Sequence, residues 1–312
     1  MSNGLHTDVL LQRGIKLSHL RMMAAFAETG QISQAAHSLG ITQPAASRLL
    51  AEVERIVGTP VHIRLGRGVG LTVAGELLAR RAQRVLMEMR DAAREMSEAG
   101  RGHIGTVGIG AVTAPALDIV LPALRTARLA HPGIQTEVIV ASSDILFDQL
   151  LSGRIDFAIA RVPNGADASQ IIARVIAPEP VSLVVRKGHR LANTTPKNPH
   201  DLLAYDWVMP DRNSPLGAAV LARLAALDLP APQQRLSTAS FLLTLALLQQ
   251  SNSIAPLAHA VANQFASAED ASFAFVHAGL EITVAPYSLL MRTGVLLPPA
   301  ARTILGLITQ SL

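Results

Sequence analysis

The residues ISQAAHSLGITQPAASR, positions 32–48, set two short helical patterns on either side of a glycine. Ser33 is expected to cap a helix over residues 34–39, and Gly40 to end it, because glycine takes a positive φ without a side-chain clash. After Ile41, Thr42 is placed to cap a second helix, with Pro44 in its first turn where a missing N–H leaves no hydrogen bond unmade. That helix is expected to reach about Val57 and to stop at Gly58. Two short helices joined by a glycine-containing turn, with alanines where they cross, are the sequence form of a helix-turn-helix.

Projected at about 100° per residue, Ala46, Leu49, Leu50, Val53, Ile56 and Val57 fall on one face of the second helix. Pro44, Ser47, Arg48, Ala51 and Arg55 fall on the other, with Gln43 at the border, within reach of an adenine edge. The outward face is small near its start and basic further on, as a helix entering a major groove about 12 Å wide must be. Taken singly, Arg48 or Arg55 reads as a solvated surface residue; the pattern as a whole carries the reading.

Upstream, Leu17, Leu20, Met23, Ala24 and Ala27 recur at helical spacing, with Ser18 as the expected cap and Gly30 as the stop. Residues 1–17 read as a flexible tail, and they show no secretory signal. Downstream, residues 60–65 alternate weakly and lead into Gly66-Arg67-Gly68, a basic turn before Leu71-Thr72. A β-wing fits this segment, and Arg64 and Arg67 would reach phosphate or the minor groove. From Thr72 a long helix is expected, in which Leu78, Ala82, Val85, Met89, Ala92 and Met96 step by four and three, a heptad seam. The seam fits packing on the chain's own body or on a second copy. The glycines at 100 and 102 leave it little intrachain surface, which favours a dimer.

Residues 42–84 hold seven arginines against three glutamates, a local excess equal to the +4 of all 312 residues. Arginine outnumbers lysine 24 to 3, and a planar guanidinium suits phosphate and guanine edges, although an arginine-rich genome gives the same bias. Hydrophobic residues at 49% and charged residues at 16% exclude a disordered chain. Cysteine is absent, which removes thiolate catalysis, disulfides and every cysteine-containing metal site. The most apolar stretch, residues 104–124, is broken by three glycines and two prolines and is a poor membrane span, so a cytoplasmic protein is expected.

Residues 17–100 resemble the winged helix-turn-helix and linker helix of the LysR-type bacterial transcriptional regulators. The matching residues are Leu20, Phe26, Ala35-Ala36, Leu39, the Gln43-Pro44-Ala45-Ala46-Ser47 run, Leu50, Glu54, Gly58, Arg64, Arg67, Leu71-Thr72 and Ala74-Gly75. The resemblance implies that Thr42, Gln43, Pro44, Ser47 and Arg48 open a recognition helix that contacts DNA; Ser33, Arg55, Arg64 and Arg67 complete the expected interface. One departure is Val61-His62-Ile63, where relatives carry Leu-Phe before the wing arginine, and it puts the packing of the wing in question.

Beyond residue 102 short apolar strands alternate with helices, which implies a parallel sheet open to ligands at the strands' carboxyl ends. Strands are expected at 104–109, 135–140, 157–160, 181–185, 207–209, 236, 253–255 and 280–290. Helices are expected at 115–129, 144–151, 216–226, 241–249 and 299–308. Residues 150–159, LLSGRIDFAI, match the Leu-x-x-Gly-x-x-Asp-x-Ala-Ile core of the family's effector-binding region. The fold expected from the resemblance is α plus α/β: a winged helix-turn-helix at 18–71, a linker helix at 72–99, and a two-lobed domain like a periplasmic binding protein. Its first lobe would take 103–162 and 268–312, and its second 163–267. Effector-binding candidates at strand-to-helix loops are Thr113, Ser142, Ser143, Arg161, Ser214, Thr238 and Ser240, each of which also fits plain helix capping. Arg161 and Arg212 would favour an anionic effector.

An enzyme finds no support. Gly108-Ile-Gly110-Ala-Val-Thr113 follows a strand but has Thr where a dinucleotide fingerprint needs Gly or Ala, and there is no Gly-x-Ser-x-Gly, Walker or His-Glu-x-x-His pattern. No metal or cofactor is expected. The sequence therefore reads as a regulator of double-stranded promoter DNA, dimeric through the linker helix, with a pseudo-palindromic target. By resemblance it is a homotetramer that bends its promoter in response to a sugar or small organic acid, with RNA polymerase as a further partner. The resemblance leans towards regulators named for control of a galactose-binding protein and sugar uptake. The alternative is a small-molecule binding protein whose basic N-terminal domain makes protein contacts.

Overall fold

The computed structural model describes residues 9–66, 68–99, 105–192, 198–232, 235–267, 271–310 and 312. The chain divides into two compact units, Met1–Gly102 and His103–Leu312.

The first unit begins with a helical turn, α1 (Val9–Gln12), where a tail was expected. Then come α2 (Leu17–Thr29), α3 (Ile32–Ser38), α4 (Gln43–Val57), the hairpin β1 (His62–Arg64) and β2 (Val69–Leu71), and α5 (Val73–Ala99). Two expected caps move. Lys16, not Ser18, precedes α2, and its N–H donates to Nδ1 of His19 at 3.0 Å. Gln31, not Ser33, precedes α3, leaving Ser33 as an exposed second residue of that helix. The α4 signals hold: Thr42 Oγ1 accepts from Ala45 N–H, and Gly58 ends the helix at φ 80°. Met22, Met23, Phe26, Ala35, Ala36, Ala46, Leu50 and Val53 form the core, with alanines at the helix crossings so that backbones approach closely.

The wing is packed despite its unusual sequence. Val61 is fully buried in the same core, its N–H donates to Glu54 Oε1 at 2.9 Å, and the His62 ring lies 2.9 Å from that carboxylate. Thr72 then ties strand to helix: its hydroxyl donates to Pro60 O, its N–H donates to Val61 O, and its oxygen accepts from Gly75 N–H. The seam divides. Ala82 is buried and Leu78 packs against the core of this unit, so the start of α5 covers its own domain. Of the seam, only Val85, Met89, Ala92 and Met96 stay exposed, which corrects the expectation of one continuous dimer seam from Leu78.

The second unit runs β3 (Gly105–Ala111), the single turn α6 (Thr113–Pro115), a π-helical turn Ala116–Val120, α7 (Leu121–Ala130), β4 (Ile134–Val140), α8 (Ser143–Leu151) and β5 (Phe157–Ala160). The wide turn precedes Pro122, which lacks the N–H that regular α-helix would need. Then follow β6 (Ile171–Arg186), β7 (Trp207–Met209), α9 (Pro215–Ala226), β8 (Arg235–Ser237), α10 (Phe241–Gln250), β9 (Ala255–Ala258), α11 (His259–Ala266), β10 (Phe273–Val276), β11 (Ile282–Arg292) and α12 (Pro299–Gln310).

The main sheet has the order β10-β6-β11-β5-β3-β4, with β9 also on β6, and it is mixed rather than parallel. Strands β3, β4 and β5 run parallel, while β11 is antiparallel to both β5 and β6. The long β6 and β11 each pass from one lobe to the other. Residues 171–177 of β6 pair with 287–292 in the first lobe, while 183–186 pair with β10 in the second. The lobe boundaries expected at 162–163 and 267–268 therefore shift towards residues 178–181 and 282–287. Asp156, buried, accepts from Gly108 N–H at 2.9 Å while its own N–H donates to Gly108 O, which pins β5 to β3. Arg292 donates to Leu150 O and Ile155 O from the other side of the same turn.

His189 is 2% exposed, accepts Leu191 N–H at Nδ1 and donates from Nε2 to Asn252 O. Burial pushes its pKa below the usual histidine value, and the nearby Arg186 charge adds to this. A depressed folded pKa means the unfolded chain takes up the proton first, so this stability is complete above about pH 6.5 and is lost as pH falls towards the folded value. Thermal unfolding followed from pH 7.5 to 5 should show a fall in midpoint that His189→Gln flattens. An equal slope in the variant would contradict the assignment.

Candidate nucleic-acid interface and effector cleft

On α4, Ala46, Leu50, Val53 and Ile56 are buried, and Gln43, Pro44, Ser47, Arg48, Ala51 and Arg55 are exposed, as the projection requires. The helix start presents Thr42 and Gln43 beside Pro44 and Ser47, while Arg48 lies along the surface with Nε 3.4 Å from Pro44 O. Arg64 ends β1 and is exposed; Arg67 lies outside the described residues.

Three residues missed in the sequence set the pose of this helix. His19 is buried, and its Nε2–H donates to Glu52 of α4 at 2.9 Å. That bond holds the Glu52 carboxyl below the ordinary glutamate range, with the Lys16 and Arg55 charges assisting. The third is Arg13, whose Nη1 donates to Ile56 O, one of the carbonyls left open at the carboxyl end of α4. Each pairing joins residues far apart in the chain, so no local pattern announces it.

In the second unit, Ala111, Val140 and Ile159 stand side by side at the ends of β3, β4 and β5. Two positions on, Thr113, Ser142 and Arg161 come together on one sheet edge, with Ser143 next to them accepting Arg161 N–H at 3.1 Å. Arg161 does not offer a free cation. Its guanidinium pairs with Glu179 of β6 and donates from Nε to Ala285 O at 2.8 Å, so the cation from which an anionic preference was expected already has partners. Arg212 is exposed. In the second lobe β7 and β8 end together, and Thr238 N–H donates to Met209 O. Ser240 caps α10 and Thr238 Oγ1 accepts from Ser240 N–H. Ser214 has both its functions used, donating to Asp211 O and accepting from Gly217 N–H, and so acts as a helix cap. Ala114 of α6 packs with Ala258 and Val261, which brings the two edges face to face.

Residues 17–76 match the family described as bacterial regulatory helix-turn-helix protein, lysR family, and residues 100–312 match the LysR substrate binding domain. The chain belongs to the LysR family. The HTH-type transcriptional regulator GbpR of Rhizobium radiobacter is 42% identical over 260 residues, covering 83% of this chain and 86% of that one. GbpR of Azospirillum brasilense is 33% identical over 297 residues, 95% of this chain and 86% of its own. Full-length CbnR, solved in complex with its target DNA, shares the fold at 20% identity and a TM-score of 0.62, covering 96% of this chain and all of that one.

This LysR-type protein is thus a DNA-binding transcriptional regulator with a two-lobed effector-binding domain. The match begins at Leu17, so Arg13 and α1 lie outside it. Among the described residues no helix is long and apolar enough to cross a membrane, and no group of metal-ligating side chains is assembled. Arg48→Ala should cost about 1–3 kcal/mol at a single base position, measured by comparing operators substituted pair by pair. A uniform loss on every sequence would make Arg48 a phosphate contact instead.

Proposed function

We propose that this regulator is a non-enzymatic, cytoplasmic protein whose effector is a neutral, polyhydroxylated small molecule of the sugar class, held between the two lobes. The observation that carries the reading is the Arg161–Glu179 pair. It neutralises the one candidate cation seated at the sheet edge and leaves a rim of hydroxyls from Thr113, Ser142, Thr238 and Ser240. Arg212 is hydrated on an exposed turn, where an ion pair with a ligand gains little. Similarity to the two GbpR proteins and to the regulator GalR of Pseudomonas putida supports the same class.

Promoter contacts come from Thr42, Gln43, Pro44, Ser47 and Arg48 in the major groove, with Ser33, Arg55, Arg64 and Arg67 on the flanking backbone. Chains pair through Val85, Met89, Ala92 and Met96, and two such dimers form a tetramer on DNA. The effector acts only as far as it binds the two arrangements of that assembly differently.

Calorimetric titration with neutral aldoses and with the matching aldonic acids tests the effector class. Neutral sugars should bind about tenfold or more tightly than the acids, ~1.4 kcal/mol. Glu179→Gln, which frees Arg161, should narrow that gap. Tighter binding of the acids by the unaltered protein would contradict the reading.

A further inference from the structure

The bridge between Trp207 and Ile254 is parallel, so β9 runs with β7 and β8 and all three end on one edge, at Met209, Ser237 and Ala258. The residues that follow β8 are the candidates Thr238 and Ser240. The residue that follows β9 is His259. The edge faces the first lobe here, because Ala258 and Val261 pack against Ala114, beside Thr113. Strand β6 arrives from the crossing between lobes with Ser182 opposite Leu257, two residues before the histidine whose ring it reaches.

Two neighbours fix the His259 ring. Ser182 Oγ is hydrogen-bonded to Nδ1 at 2.8 Å, and the ring stacks on Phe275 of β10 with centroids 5.7 Å apart and planes 26° apart. The side chain is exposed, and among the described residues Nε2 makes no hydrogen bond. A ring oriented at one nitrogen and one face, with the other nitrogen open beside a cleft, is organised before any ligand arrives, so little entropy is lost on contact.

We propose that His259 is a ligand-contacting residue of the cleft, making one hydrogen bond from Nε2 to a ring hydroxyl of the effector. The assignment rests on the sugar-class reading of the cleft. An imidazole edge beside an aromatic ring fits a pyranose, which has a hydroxyl rim and an apolar face; Phe275 and Ser182 act as positioning residues.

The test uses the full chain labelled with 15N-histidine and titrated with D-galactose, D-glucose and L-arabinose. The His259 ring signals are assigned by their loss in His259→Gln, whose side chain still reaches Ser182 and guards against a folding artefact. A bound sugar should shift those signals, and His259→Ala should weaken its affinity about tenfold, the size of one hydrogen bond. A sugar that binds with affinity unchanged within about twofold in His259→Ala, leaving the ring signals in place, overturns the His259 assignment and leaves the sugar reading standing. Binding of none of the three overturns the sugar reading and the assignment together.

Discussion

Gly75→Ala is expected to remove specific DNA binding and to destabilise the first unit by about 3 kcal/mol or more, the upper range for forcing a group into a packed site. A Cβ at Gly75 would overlap the carbonyl oxygen of Val61 and lie 2.9 Å from its carbon and 3.0 Å from Leu71 Cδ2. That carbonyl cannot swing away, because it accepts Thr72 N–H, and Gly75 N–H is itself bonded to Thr72 Oγ1. Relief requires the start of α5 to lift from the wing, and Val61 leaves the core with it. Calorimetry on the full chain, read together with duplex binding, measures both effects. Unfolding within about 0.5 kcal/mol of the unaltered protein would show that helix and wing are not docked as described.

Gly217→Ala should act on the second unit in the same way and leave the first unit's unfolding unchanged. Its Cβ would overlap Asp211 O and approach Arg212 Cα to 3.1 Å. Asp211 O also accepts from Ser214 N–H and Oγ–H, so the whole turn from β7 to α9 is held against the glycine. A loss of about 3 kcal/mol is expected, with effector binding reduced because that turn follows β7, whose end lies on the edge proposed to hold the effector. Gly306 in α12 supplies the contrast: a Cβ added there would meet nothing within 4 Å, so Gly306→Ala should stabilise the same unit by up to about 1 kcal/mol. If both alanine variants shift the transition in the same direction, close approach at Gly217 is not what fixes that residue.

The helix-turn-helix was legible because its signals are local and agree: Thr42, Pro44, the apolar stripe and Gly58 all describe one helix. The cleft was legible only in part. Thr113, Ser142, Thr238 and Ser240 follow strands that the alternation exposes, whereas Glu179 lies in Ala177-Pro178-Glu179-Pro180, which reads as a loop and in fact belongs to the crossing strand β6. Without Glu179, Arg161 looks like a free cation. His259 was hidden because α11 is only about two turns long and the preceding β9 contains Pro256. The heptad seam was read too far upstream because the period that serves a partner helix also serves α2, against which Leu78 and Ala82 pack. His19–Glu52 and Arg13–Ile56 are long-range pairs, beyond any reading by spacing.

The proposed control of promoter reading by the exposed face of α4 is exerted by a neutral sugar. It is tested most directly by the mobility of DNA from upstream of the protein's own gene across a salt series, with and without a pool of neutral sugars. Specific binding that weakens steeply with salt, as phosphate contacts by Arg55 and Arg64 require, is expected, together with a changed mobility of the complex when the sugars are present. Binding that is absent at low salt, or equal on unrelated duplexes, would contradict it.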